Sequence, residues 1–343
     1  MKCLRPTYIN KFKCDGQKCS SRCCRNWRVV IDDDTHKKFL ELDDQSILSK
    51  LDFIADENIF TVKLKDNGDC PFLDADLLCS IQKTYGEGCL SAICQAYPRV
   101  TYQLNDTLEQ SLTLTCPVAA LEILLSDEPI TFETVDVERP RFFFDWTKKI
   151  TDVDDPIGLQ LQSIKILQER SLTIDRRLKN LCLLLNKNAV DQKNIFDAER
   201  HTDIMLDIFG QMYSMNMSAD KKAHLKEIYL DLRAVVRELF MSDTIIENYL
   251  VNEFFMRCYP FDANRDTWSS CKIFIVGFKT LEFALVLTAI SKGAGLIVGD
   301  IVNLIEVFNE KLDHNRGGML AVKNSARSLE NFVEFAAVML DTD

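Results

Sequence analysis

Positive charge is outnumbered by negative charge in this chain. Its 343 residues include 41 Lys and Arg against 52 Asp and Glu, which gives a net charge of −11. A nucleic-acid-binding protein needs a cationic surface for the phosphate backbone, so this balance argues against that class. The length predicts two or three domains, and a chain of this length can bury a hydrophobic core without disulfide bonds.

Long uninterrupted apolar runs are also missing. Residues 1–13 contain no apolar stretch of the kind that a signal peptide needs, so we expect a cytoplasmic protein. The most apolar segment, 273–291, is interrupted by Lys279 and Glu282. This pattern predicts a buried helix with a polar stripe, and we expect no membrane span.

Helix breakers are few in the C-terminal half. Apolar residues recur there at three- and four-residue intervals, including the segment 324–340, which predicts an all-α domain of seven or eight helices over 157–343. A connector rich in charge and proline covers 129–156. We expect a mainly α protein.

Cysteine, in contrast, is concentrated at one end, with ten of the thirteen in the first 116 residues. An odd number would leave one thiol over in a disulfide framework, which favours reduced, metal-binding cysteines. The spacing Cys-x4-Cys-x3-Cys-Cys over 14–24 gathers soft donors of the kind that zinc or iron–sulfur ligation requires. Cys182, Cys258 and Cys271 lie among apolar neighbours and are expected in the core.

The N-terminal domain, residues 1–128, is expected to be irregular and cysteine-rich, with short helices and small hairpins organised by metal rather than by a large sheet. Asp34 is a candidate helix cap, Ser91 could cap a short helix carrying Cys94, and Pro117 opens an apolar helix. A hairpin is predicted around Asn105-Asp106.

Several short strings occur along the chain in a fixed order. They are Phe12 with Cys14, Cys19, Cys23-Cys24 and Trp27, then 70–74, 78–81, 86–87, 90–99 and 111–117, and finally 248–255 with 259–261. This order resembles the flagellin lysine-N-methylases. The N-terminal part also resembles a wider family of cysteine-rich zinc- or iron-chelating domains.

The resemblance implies an enzyme of the bacterial flagellum that transfers methyl from S-adenosylmethionine to surface lysines of flagellin. It also implies an iron–sulfur cluster, 4Fe–4S, with zinc as the alternative metal. Cys89 lies outside the matched strings, and the sequence does not choose four ligands from the others. The ligand candidates carried over are Cys14, Cys19, Cys23, Cys24, Cys70, Cys79 and Cys94, with Cys116 behind them.

The route of methyl transfer stays open. Cys19-x3-Cys23 begins like the Cys-x3-Cys-x2-Cys motif of radical S-adenosylmethionine enzymes, but Asn26 stands where the third cysteine would be. The sequence also contains no Rossmann fingerprint and no pattern typical of SET-type lysine methyltransferases. A polar transfer needs a group to take the proton of the lysine amine. The candidates within the matched strings are Glu87, Tyr97 and Asp74.

Two further hypotheses concern partners. The alternative to an enzyme is a non-catalytic zinc- or iron-binding interaction module on a helical body. For an enzyme, acids at helical spacing could form a docking surface for lysine-rich flagellin; the candidates are Asp203, Asp207, Glu247 and Glu253.

Overall fold

The structure, a computed structural model, describes residues 1–16, 19, 22–145, 153–193, 195–240, 243–261, 266–293, 296–314 and 316–342. The chain forms two compact units. The first comprises Met1–Ala120 with Phe132–Asp145, and the second comprises Leu121–Thr131 with the described residues beyond Asp145. About 56% of the chain is helical, which confirms the prediction of a mainly α protein.

Eight strands of the first unit form two sheets in the described residues. Five make a mixed sheet in the order β7-β1-β6-β5-β8, and three make an antiparallel sheet in the order β2-β4-β3. The bounds are β1 (Lys2–Pro6), β2 (Val30–Ile31), β3 (Leu51–Ile54), β4 (Ile59–Val62), β5 (Arg99–Leu104), β6 (Thr107–Leu112), β7 (Phe132–Asp136) and β8 (Phe144–Asp145).

The expectation that this unit lacks a large sheet was wrong. Lys2 lies opposite Thr107 on one side and Asp136 on the other, so strands distant in sequence pair directly. Local patterns do not reveal pairing of this range. Strands β7 and β8 come from residues 129–156, the predicted connector. The hairpin at Asn105-Asp106 is confirmed as β5 and β6.

Short helices surround these sheets. They are α1 (Asp33–Glu41), α2 (Gln45–Leu48), α3 (Ser80–Tyr85), α4 (Ala92–Ala96) and α5 (Pro117–Leu124), whose last four residues belong to the second unit. Asp34 is not the cap of α1. Asp32 has the extended backbone of a cap and accepts from Thr35 N at 3.1 Å, whereas Asp34 lies in the first turn. Ser91 caps α4, as predicted.

The second unit is helical, as the periodicity predicts, with nine helices in its described part. The segment 324–340 divides because Asn331 accepts a hydrogen bond from Glu334 N and starts a new helix. The bounds are α6 (Pro156–Leu167), α7 (Ile174–Leu185), α8 (Ala198–Met212), α9 (Ala219–Phe240), α10 (Asp243–Met256), α11 (Thr267–Lys292), α12 (Val298–His314), α13 (Arg316–Ser328) and α14 (Phe332–Met339).

Helix α11 lies in the core of this unit. In the described residues it is the single helix long and apolar enough to cross a membrane, and 78% of its most apolar window is buried inside the protein. Lys279 donates to Asp175 at 2.6 Å and to Glu282 at 2.9 Å, and all three are buried. These contacts agree with the prediction of a buried helix, because the charged side chains of its polar stripe form ion pairs inside the protein.

Two of the acids predicted to dock flagellin are in the wrong place. Glu247 and Glu253 lie on α10 and are almost completely buried, as is every residue of this helix from Ile245 to Met256. Glu247 pairs with buried Arg177 at 2.9 Å. Asp203 and Asp207 are exposed on α8. Cys182, Cys258 and Cys271 are fully buried, as predicted.

Candidate metal centre

A cavity of about 150 Å³ in the first unit gathers the predicted ligands. Its remaining wall is largely apolar, with Trp27, Phe72, Ile81 and Tyr97 among the contributors. The cysteines that line it are Cys14, Cys19, Cys23, Cys24, Cys70, Cys79 and Cys94. Two cysteine groups that are far apart in sequence therefore share one space.

Backbone hydrogen bonds join the two groups. Cys23 and Cys24 end a short 3₁₀ turn, and the carbonyl of Cys24 accepts from Cys70 N at 2.8 Å. The indole Nε1 of Trp27 donates to the carbonyl of Cys23 at 2.8 Å. The first contact joins the loops of Cys24 and Cys70, and the second fixes the carbonyl of Cys23 against Trp27.

A contact between Asn26 and the turn that ends at Gly68 reinforces this connection. Asn26 N donates to the carbonyl of Gly68 at 2.9 Å, and both residues have positive φ, 60° and 84°. The positive φ of Gly68 favours glycine, and a Cβ there would lie 2.0 Å from Asn26 Oδ1, so a larger residue would be strained and would displace the Asn26 amide.

The loop between Cys70 and Cys79 is closed by its own contacts. Ser80 N donates to the carbonyl of Phe72 at 2.7 Å, directly after Cys79. Asp74 accepts from Leu78 N at 3.0 Å and from Lys83 Nζ at 2.8 Å. The Lys83 hydrogen bond lowers the pKa of Asp74, so Asp74 stabilises the loop and is a poor proton acceptor.

Cys94 reaches the cavity from the short helix α4. Ser91 Oγ accepts from Cys94 N at 3.3 Å, and the carboxylate of Asp32 accepts from Ala92 N at 2.8 Å. The sequence prediction found Ser91 but not Asp32. The sequence signal for Asp32 was an acidic residue just before a helix, but the N-cap role was assigned to Asp34 instead.

The thiols of the cavity have perturbed pKa values. A hydrogen bond with Cys24, at a sulfur separation of 3.9 Å, lowers the pKa of Cys23 to about 7 and raises that of Cys24. Burial raises the pKa of Cys70, and it raises that of Cys94 to about 12. Metal ligation would therefore release protons from these thiols.

The donor set is of the kind that holds a thiolate-bound metal, either zinc or an iron–sulfur cluster. Tetrahedral zinc, with Zn–S near 2.3 Å, would set its sulfurs about 3.8 Å apart. Across the part of the chain that the structure describes, no three His, Cys, Asp or Glu side chains come close enough to hold one ion. Cys23 Sγ and Cys24 Sγ are 3.9 Å apart, which is close to that zinc spacing. Soft thiols in an apolar pocket also suit an iron–sulfur cluster, in which each thiolate binds a different iron.

The other predicted site residues lie in different positions. Cys116 is buried and does not line the cavity, and burial raises its pKa to about 11. Cys89 and exposed Glu87 also lie off the lining. Tyr97 does line it. Its hydroxyl lies 3.2 Å from Thr115 Oγ1, which fixes the direction of the phenol.

The fold and the site together define a class: a helical protein with a thiol-lined cavity in a separate mixed-sheet unit. A family model described as the FliB lysine N-methylase C-terminal domain matches residues 193–340, within the helical unit. No solved structure matches.

Curated proteins are also similar. The flagellar biosynthetic protein FliU of Salmonella muenchen is 35% identical over 130 residues, which cover 35% of this chain and 75% of FliU. Lysine-N-methylases of Salmonella typhimurium and Salmonella choleraesuis are each 33% identical over 130 residues, 35% of this chain and 31% of the relative. The chain belongs to the flagellin lysine-N-methylase family.

Proposed function

We propose that this protein is a cytoplasmic lysine N-methyltransferase that transfers methyl from S-adenosylmethionine to surface lysines of flagellin. Family membership supports the reaction class, since two relatives carry the name lysine-N-methylase. The relative named as a flagellar biosynthetic protein supports flagellin as the substrate. The net charge of −11 favours encounters with lysine-rich surfaces.

The thiol-lined cavity is the observation that carries the cofactor part of this proposal. Burial raises the pKa of Cys94, and a negative charge on Cys70, Cys79 or Cys23 would raise it further, because all four residues line this cavity. They would hold a 4Fe–4S cluster, with Cys24, Cys14 and Cys19 alongside. When bound, such a cluster supplies one-electron chemistry or crosslinks the loops.

A polar transfer would proceed by direct displacement. The lone pair of the lysine nitrogen attacks the methyl carbon, the carbon–sulfur bond breaks with its electrons going to sulfur, and S-adenosylhomocysteine leaves. The extra proton on nitrogen passes to water or to a protein group. Among Glu87, Tyr97 and Asp74, it is Tyr97 that lines the cavity, and its hydroxyl would orient the amine.

The proposed docking surface for flagellin keeps two of the four acids that the sequence suggested. Exposed Asp203 and Asp207 are each engaged by a lysine of α9, at 2.8 Å from Lys226 and 2.6 Å from Lys222. Such surface pairs are weak and exchange readily. Either acid could therefore release its lysine and bind a substrate lysine instead.

The test combines activity with redox dependence. Protein purified without oxygen is incubated with S-adenosylmethionine and flagellin, with and without a chemical reductant, and flagellin lysines are read by mass spectrometry for added methyl groups. Methylation without reductant supports polar transfer, and methylation only with reductant supports a redox role for the cluster. No methylation in either arm overturns the enzyme proposal and leaves the metal-binding module.

The role of Tyr97 is tested in the same assay. Tyr97→Phe removes the hydroxyl and keeps the ring, which lies 6.0 Å from the Trp27 ring. We expect a lower kcat with the metal content unchanged. An unchanged kcat would remove Tyr97 from the mechanism.

A further inference from the structure

Asp32 lies where three segments of the first unit meet. Its carboxylate accepts from Thr35 N at 3.1 Å and Thr35 Oγ1 at 2.8 Å, from Ala92 N at 2.8 Å and from Arg141 Nη2 at 3.0 Å. An ionised carboxylate has about four acceptor sites, so these donors satisfy it fully. Burial opposes its charge, but the hydrogen bonds from Ala92 and Thr35 outweigh burial and lower the pKa of Asp32.

The contact with Ala92 matters because Ala92 opens the helix that carries Cys94. Ala92 is the first residue of α4, and Cys94 lies two residues later on the cavity wall. A helix of five residues is not stable by itself, so its direction depends on what its ends are bonded to. Asp32 holds the N-terminal end from outside the helix, and Ser91 caps it from within.

Neighbouring contacts place α1 along the same segment. Lys38 Nζ donates to the carbonyl of Gly88 at 2.8 Å, and Thr35 Oγ1 lies 3.4 Å from the carbonyl of Leu90. The residues that lead into α4 are therefore bound to α1 at several points. The hydrogen bond from Ala92 N to Asp32 adds a contact at the first residue of α4.

We propose that Asp32 is a positioning residue for Cys94: it sets the direction of α4 and so the place of the Cys94 sulfur in the cavity. Its relevance to a metal rests on the proposed function, whereas its effect on α4 does not. Asp32 does not line the cavity, so it acts on Cys94 through α4.

The variant Asp32→Ser separates the N-cap role of Asp32 in α1 from its contacts with Ala92 and Arg141. Serine is as good an N-cap as aspartate, so α1 stays capped, but one hydroxyl cannot also accept from Ala92 and Arg141. Asp44→Ser is the matched control. Asp44 caps α2, accepting from Ser46 N at 2.9 Å and from Tyr85 Oη at 2.8 Å, and it does not touch α4.

The first readout uses metal-free protein. We expect amide hydrogen exchange over 92–96, and alkylation of Cys94 by iodoacetamide, to be roughly tenfold faster in Asp32→Ser, which is the effect of losing one charge-assisted hydrogen bond. In Asp44→Ser both rates should equal those of the natural protein. Unchanged rates in Asp32→Ser, or equal acceleration in both variants, would overturn the proposal.

The second readout is bound metal and its spectrum. We expect Asp32→Ser to retain at most about half the metal per chain, with a shifted electron paramagnetic resonance signal from what remains, and Asp44→Ser to match the natural protein. Faster exchange at α4 with no iron even in the natural protein would uphold the positioning role and refute the cluster. Full metal and an unshifted signal in Asp32→Ser would overturn the positioning of Cys94.

Discussion

Gly68→Ala tests the turn that joins the two cysteine groups. The residue has φ of 84°, and the new Cβ would lie 2.0 Å from Asn26 Oδ1. A side chain at such φ costs about 1–3 kcal/mol, and moving the Asn26 amide aside adds about 1 kcal/mol. We therefore expect a loss of about 2–4 kcal/mol in the first unit, together with reduced iron per chain.

Gly86→Ala provides the matched control. Gly86 also has φ of 84°, but a Cβ there meets nothing within 4 Å. This variant should lose only the conformational part, about 1–3 kcal/mol, and should keep its iron. Amide hydrogen exchange in the larger sheet of the first unit measures both losses.

A double-mutant cycle isolates the clash. Asn26→Ala removes the amide that the new methyl would displace, so Gly68→Ala should cost about 1 kcal/mol less in that background. Equal losses for Gly68→Ala and Gly86→Ala, with iron retained in both, would refute the inference that this turn positions the cysteines.

Three further predictions concern single side chains. Burial lowers the pKa of His201 from 6.5 to about 4, so up to ~3 kcal/mol of folding stability that is present above pH 6.5 is lost as the pH falls towards 4. His201→Gln should flatten this pH dependence of the free energy of unfolding, measured in urea. The control variant His224→Gln, at an exposed position, should not. Lys279→Ala leaves the buried carboxylates of Asp175 and Glu282 to share Arg237 in place of two cations, so one buried negative charge is uncompensated. This variant should cost the second unit about 3–5 kcal/mol by hydrogen exchange, and a loss below about 1 kcal/mol would contradict this. Cys79→Ser should lower iron per chain and Cys182→Ser should not; equal iron contents would count against the cavity.

The helical unit could be predicted from the sequence because its signals are local. Apolar residues at three- and four-residue spacing defined its helices, and Lys279 with Glu282 indicated a polar stripe on α11. The same spacing misled for Glu247 and Glu253. Periodicity shows which residues share a helix face, but not whether another helix covers that face.

The candidate site was predictable to a similar degree. The family resemblance supplied the cysteine strings, and seven of the cysteines in them line the cavity. Asp32 could not be found this way, since its partners Ala92 and Arg141 come from distant segments. The five-stranded sheet was missed for the same reason: β1 pairs with strands far away in the chain.

The metal bound in the cavity tests the central claim most directly. Iron, zinc and acid-labile sulfide are counted per chain in protein purified without oxygen, for the natural sequence and for a Cys23→Ser, Cys70→Ser double variant. We predict iron and sulfide in equal amounts, with the brown colour of thiolate-to-iron charge transfer, and their loss in the variant. Colourless protein with stoichiometric zinc, or full iron in the variant, would contradict the account.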